Sequence, residues 1–123
     1  MEADKKVRAR RLGIQGEKTA VDYLRKKKYS IIARAFRLHR GEIDIIAVDG
    51  KTLVFVEVKT RSAEDFGRAE EAVTPAKQDQ IRRIAQGFLD KKHLGDVACR
   101  FDVLALVGTE IDGFTVRHFK DAF

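Results

Sequence analysis

Gly41-Glu42-Ile43-Asp44-Ile45-Ile46 and, beyond a short polar break, Val54-Phe55-Val56-Glu57-Val58-Lys59 are the segments around which the chain is organised. Both are strongly apolar and rich in β-branched residues, and Asp49-Gly50-Lys51-Thr52 between them reads as a hairpin turn. Side chains alternate along a strand, so Glu42, Asp44 and Ile46 share one face of their strand and Phe55, Glu57 and Lys59 one face of theirs. If Val48 pairs with Leu53, Asp44 stands opposite Glu57 and Glu42 opposite Lys59. A tighter Asp-Gly loop makes Asp44 and Glu57 diagonal neighbours instead. Either register gathers carboxylates and a lysine on a surface otherwise made of Ile, Val, Leu and Phe.

Facing like charges destabilise a strand pair, and a half-buried carboxylate pair raises at least one pKa. A shared proton, a basic partner or a bound cation would offset the cost. Lys59 can neutralise part of the charge, and a hard divalent ion held by oxygen ligands would neutralise more. A purely structural ion pair of Lys59 with Glu57 or Glu42 is the competing account.

With 123 residues, 44% of them apolar and 36% charged, the chain is one domain with a real core. It holds no apolar run long enough to span a membrane and no signal-peptide core after Met1-Glu2-Ala3-Asp4-Lys5-Lys6, so a cytoplasmic location is expected. A single Cys99 and three scattered histidines give no zinc-ligand spacing, and Cys99, opening an apolar strand, is expected to be a buried, inert thiol. A net charge of +6 favours polyanionic partners.

Taken in order, residues 1–11 carry Lys5, Lys6, Arg8, Arg10 and Arg11 with almost no apolar content. They are expected to form a flexible basic arm, a solubilising tail or a phosphate-tracking one, ahead of a single domain over 12–123. A helix is predicted over 13–28, with Ala20, Val21, Tyr23 and Leu24 on its apolar face and Glu17 at the head of the same stripe. Glu17 either complements the helix dipole or reaches the hairpin carboxylates. Gly13 and Gly16 would let this helix approach the sheet. A strand over 29–36 and a basic connection, Arg37-Leu38-His39-Arg40, lead into the hairpin. A long connection over 60–73 contains Arg61, Phe66, Gly67 and Arg68. Thr74-Pro75 is a hydroxyl N-cap followed by proline at the first helical position. Ile81, Ile84, Ala85, Phe88 and Leu89 then trace an amphipathic helix. Lys77 and Gln78 fall on its sheet-facing edge in the first turn, where free N–H groups and a lysine suit an anion. Strands follow over 97–107 and 114–119, with Asp102 as a structural acceptor. The order α-β-β-β-α-β-β is an α/β domain with a mixed central sheet flanked by helices.

A strand-borne Asp44, then Glu57-Val58-Lys59, with Glu17 on the preceding helix, resembles the PD-(D/E)XK nuclease superfamily with its restriction-endonuclease-like fold. Leu12-Gly13, Gly16-Glu17, Tyr23-Leu24, Gly41-Glu42-Ile43-Asp44, Phe55 to Arg61, Phe66-Gly67, Glu71-Ala72-Val73, Lys77 and Arg100-Phe101-Asp102 together are similar to the small bacterial YraN-like family. That family is related in fold to archaeal Holliday junction resolvases. The resemblance implies that Asp44 and Glu57 hold Mg²⁺ or Mn²⁺, with the Val58 carbonyl as a further ligand and Glu17 and Glu42 contributing directly or through water. Lys59 would assist the attacking water. Arg37, Arg40, Arg61, Lys77 and Gln78 would contact the substrate. The superfamily's first-motif proline is absent, Gly41-Glu42-Ile43 standing before Asp44. The expected function is structure-selective hydrolysis of DNA phosphodiester bonds. The alternative is a nucleic-acid-binding or DNA-processing partner with little cleavage of its own. Resolvase-like relatives act as dimers, so the resemblance allows a homodimer, although no stretch of this sequence declares an interface.

Overall fold

The computed structural model describes residues 2–62 and 73–123. Helix α1 (Glu2–Lys26) precedes three antiparallel strands, β1 (Ser30–Leu38), β2 (Gly41–Asp49) and β3 (Thr52–Arg61). Helix α2 (Pro75–Lys91) carries the chain across to β4 (Cys99–Thr109), parallel to β3, and β5 (Gly113–Phe119) closes the sheet antiparallel to β4. The spatial order β1-β2-β3-β4-β5 is the chain order. A parallel neighbour cannot be reached by a tight turn, so the single crossover falls where the one parallel pair lies. This is the expected α/β architecture and order, and it is consistent with a nuclease-like fold.

One helix covers each face of the sheet. Ala20, Val21 and Leu24 of α1 pack on Ile45, Ala47, Val54, Val56, Leu104 and Leu106. Ile81, Ile84, Ala85 and Phe88 of α2 pack on Ile43, Ile46, Leu53, Phe55 and Val103. A sheet buried on both sides explains why β2, β3 and β4 read as nearly continuous apolar runs rather than clean alternations. The N-cap of α2 forms as its sequence predicts: the Thr74 hydroxyl accepts the Lys77 N–H at 3.2 Å, and Pro75 occupies the first turn.

Several local expectations are corrected. Helix α1 begins at Glu2, and residues 2–11 are helical where the sequence predicts a flexible arm ahead of the helix. Apolar periodicity could not reveal this stretch because every one of its side chains is exposed; Ala, Lys, Arg and Glu are strong helix formers without it, and Glu2 and Asp4 lie in the first turn. Cys99 is exposed rather than buried, because β4's buried run starts only at Asp102. Gly13 has nothing within 4 Å of where a Cβ would sit, so it does not serve close approach. Gly16 does: a Cβ there would collide with the Thr60 side chain on β3. Phe66, Gly67, Arg68, Glu71 and Ala72 lie outside the described residues.

Candidate active site

The hairpin adopts the first of its two registers, with Val48 opposite Leu53 and Asp49 opposite Thr52. Backbone pairing runs inward only as far as Ile45 and Val56, then stops. Two irregularities coincide there. Ile43 and Ile46 both join the cluster under α2 although they are three positions apart, so strict alternation breaks around Asp44. On β1, Ala35 has a positive φ of 50°, and it falls between Arg34, paired with Ile45, and Phe36, paired with Ile43. At the level of the predicted acids the β2–β3 ladder has ended, while β1 and β2 stay paired as far as Leu38 and Gly41.

Asp44 uses the opening. Its Oδ2 accepts the Val58 N–H at 2.8 Å, a carboxylate oxygen standing where the β2–β3 ladder has ended. The Asp44 and Glu57 carboxyls come together as the register predicts. Burial pushes Asp44 up to about 8, reinforced by hydrogen bonding to Glu57 and by the Glu57 charge; the Val58 N–H and the Lys59 charge oppose the rise. Glu57 is only 5% exposed, and its Oε2 is buried without a hydrogen-bond partner. Lys77 from the first turn of α2 points at that atom with Nζ 3.9 Å away, an ion pair beyond hydrogen-bonding distance.

Glu17 also arrives, but with a partner. The close approach at Gly16 brings its carboxylate beside Asp44, and Arg34 Nε lies 3.6 Å from its Oε1. Burial and the Asp44 charge raise its pKa, Arg34 opposes them, and Glu42 adds to the rise. Glu42 is not opposite Lys59, since the ladder ends before that level; Arg37 Nε holds Glu42 at 3.2 Å instead. An open groove of about 780 Å³ is lined by Glu17, Glu42, Asp44, Val58, Lys59, Arg37 and Arg61, while Glu57 and Lys77 stand outside its lining. The Arg61 guanidinium donates to the Thr60 carbonyl at 3.1 Å. Arg40 sits outside this groove, in a turn with φ +59° that borders a neighbouring hollow shared with Arg37 and Glu42. Gln78 is turned away, its amide donating to the Val73 carbonyl at 3.1 Å. Lys77 faces an acid rather than an open anion site.

Among the described residues no three Asp, Glu, His or Cys side chains converge closely enough to hold a metal ion. Asp44 and Glu57 therefore form a two-carboxylate pair, with Glu17 and Glu42 held off by arginines. The donor set is all oxygen, one buried oxygen is unsatisfied, and the pair is costly as it stands. Those features suit a hard divalent ion completed by backbone carbonyl and water.

A second polar network, whose extent the sequence did not disclose, centres on Asp102, which pairs in register with Val56 on the neighbouring strand. Asp102 is fully buried. Arg100 binds it through Nε at 2.8 Å and Nη2 at 3.1 Å, while also reaching Asp49 at 3.1 Å and the Tyr29 hydroxyl at 2.7 Å. His118 Nε2 stands 2.7 Å from Asp102 Oδ2, its Nδ1 3.3 Å from the Tyr23 hydroxyl, and the Asp121 N–H donates to Oδ1 at 3.0 Å. Burial alone would raise the Asp102 pKa; the hydrogen bonds from His118, Arg100 and Asp121 overcome it and hold the carboxyl down at about 2. The expected role, a structural acceptor at the start of a strand, is the one observed. His118 lies 16 positions further along the chain, so no local spacing could have flagged it.

The family model described as the uncharacterised protein family UPF0102 matches residues 16–106. The chain belongs to UPF0102. This is the YraN-like family that the motif order resembles. A UPF0102 protein of Geotalea uraniireducens is 52% identical over 112 residues, covering 91% of this chain and 88% of that relative. Another of Chlorobium limicola is 47% identical over 117 residues, covering 91% of each. The match begins at Gly16, so Glu17, Asp44, Glu57, Lys59, Lys77 and Asp102 all lie within the UPF0102 region.

Proposed function

We propose that this UPF0102 chain is a divalent-metal-dependent nuclease that hydrolyses phosphodiester bonds of DNA, with a preference for structured DNA over sequence. The observation that carries this reading is the meeting of Asp44 with Glu57, which leaves one Glu57 oxygen buried and unsatisfied, where Asp44 lines an open groove with basic residues on its walls. A binding surface for nucleic acid gains nothing from facing carboxylates, which repel phosphate. Asp44 and Glu57 would hold Mg²⁺ or Mn²⁺, with the Val58 carbonyl available beside them. Such an ion would polarise the phosphoryl oxygen and lower the pKa of a bound water. Lys59, close enough to Asp44 to oppose its protonation, would hold the attacking water and offset charge gathering on the phosphorus. Arg37 and Arg61 on the groove wall would carry the flanking phosphates, and Lys77 would screen Glu57 while no cation is present.

The test is a cleavage panel of linear, nicked, flapped and four-way DNA with Mg²⁺ or Mn²⁺, run beside Glu57→Ala and Lys59→Ala. The expected result is metal-dependent nicking by the wild type alone, with DNA affinity largely kept in Lys59→Ala. Equal cleavage by all three proteins would assign the activity to a contaminant or another site.

One observation favours a second reading. Lys77 already stands beside Glu57, and Arg34 and Arg37 already engage Glu17 and Glu42. A site so neutralised could serve a nucleic-acid-binding partner protein with little cleavage of its own. Tight DNA binding with no nicking of any substrate in the panel would select it.

A further inference from the structure

The first three turns of α1 bury nothing. Residues 2–11 are all exposed, and the helix's first buried residue is Gly16. This unsupported stretch nevertheless carries Lys5, Lys6, Arg8, Arg10 and Arg11. Lys5, Arg8 and Arg11 recur every third position, a spacing that keeps them on neighbouring parts of the helix surface over about 9 Å of axis. Facing them is the turn between β4 and β5, whose tip residue Ile111 is 95% exposed, far more than any core demand explains. Between helix and turn runs a groove of about 670 Å³ lined by Lys5, Arg8, Arg11, Thr109, Glu110 and Ile111. Ala9 and Leu12 line both this groove and the carboxylate groove, so the two are adjacent along α1.

We infer that this groove holds an unpaired stretch of polynucleotide on its way to the Asp44–Glu57 site, a proposal that rests on reading that site as a phosphodiesterase centre. The two rims differ in kind. One offers cations at intervals along a helix; the other offers a projecting apolar side chain and the acid Glu110. A duplex presents phosphates outward and hides its base faces, so it has no use for an apolar rim. A single strand presents phosphates on one side and sugar and base faces on the other, which is the pairing that strand-binding grooves supply. Lys5, Arg8 and Arg11 take the phosphates, and Ile111 packs against the base and sugar faces. The preferred substrate therefore contains a single-stranded arm or gap beside the scissile bond.

The test uses the full chain, a fluorescein-labelled 15-nucleotide oligothymidylate and a labelled hairpin duplex, with anisotropy read over a KCl series in EDTA so that nothing is cut. Three variants are compared: Lys5→Ala/Arg8→Ala/Arg11→Ala, Ile111→Ser, and a charge-matched control, Lys51→Ala/Lys91→Ala/Lys92→Ala, with circular dichroism to confirm retained helix. The wild type is expected to prefer the single strand. The groove triple variant should weaken it at least tenfold at low salt and flatten the salt slope by about 2, as three lost phosphate contacts require. Ile111→Ser should weaken single strand several-fold without changing the slope and leave duplex binding alone. Equal losses in the groove and control triples, a duplex preference, or full displacement by polyglutamate would overturn the inference. Cleavage that persists with binding unchanged in the groove triple would overturn the groove and leave the catalytic reading standing. A wild type that neither binds nor cuts any nucleic acid would remove both.

Discussion

Replacing Asp44 with Asn should stabilise the metal-free protein, and the gain should grow with pH. Asp44 is moved from its ordinary 3.8 up to about 8. Between those values the folded state binds a proton that the unfolded state has released, so stability falls as pH rises through the window and is intact below 3.8. At about 1.4 kcal/mol per tenfold change in proton affinity, the ceiling on the loss is about 6 kcal/mol. Partial exposure of the side chain, relaxation and water penetration bring the expected value to about 2–3 kcal/mol at pH 8. Asn keeps an oxygen to accept the Val58 N–H, so the substitution removes the charge and not the bond. Urea unfolding of both proteins in EDTA, at intervals from pH 4 to 8.5, measures the difference directly. The two curves should nearly coincide at pH 4 and separate steadily above it. A constant offset, or an Asn variant that loses stability as pH rises, would show that Asp44 is not held protonated against Glu57, and the argument for a strained carboxylate pair would fail with it.

Three further outcomes follow from the same structure. Millimolar Mg²⁺ or Mn²⁺ should raise the Tm of the wild type but not of Asp44→Asn/Glu57→Gln, because an ion that binds only the folded state stabilises it by mass action; equal shifts in both proteins would place any ion elsewhere. Arg100→Met should cost about 3–5 kcal/mol in chemical unfolding, since it leaves Asp102 buried with fewer partners. The stability that Asp102 contributes should be present above its ordinary 3.8 and vanish as pH falls through about 2, so a loss confined to neutral pH would contradict the assignment. Gly16→Ala should destabilise by about 1–3 kcal/mol through collision with Thr60, and Thr60→Ala should restore part of the loss; additive effects in the double variant would mean that the helix and strand do not meet there.

The fold was legible because each element declares itself locally. Thr74-Pro75 marks the start of α2, Ile81, Ile84, Ala85 and Phe88 mark its buried face, and the apolar runs of β2 and β3 flank an evident turn. Asp44, Glu57 and Glu17 were legible as a set because charge on an apolar face is anomalous wherever it occurs. What escaped was of two kinds. One was partner choice: Arg34 for Glu17, Arg37 for Glu42 and His118 for Asp102 depend on where β1 and β5 lie in space, and no spacing along the chain encodes it. The other was the helical extension before residue 12, which has no buried face and so leaves no periodic trace.

The position of the carboxylates follows from the hairpin itself. Through the paired length of β2 and β3, Ile45, Ala47, Val54 and Val56 lie against α1 and Ile46, Leu53 and Phe55 lie against α2. Within that zone a charge would be desolvated on either face, with the ladder claiming the backbone donors that could have compensated it. Where pairing stops beyond Ile45 and Val56, the Val58 N–H becomes available, and Asp44 takes it. The same opening is reached by Glu17 from one helix and Lys77 from the other, since α1 and α2 cover opposite faces of the sheet. Asp44 can thus be buried enough to lie far above its usual pKa and still face a groove. A carboxylate two residues further into the hairpin would have had the burial without the groove, and one two residues further out, as Glu42 shows with Arg37, is exposed enough to be neutralised by a surface arginine.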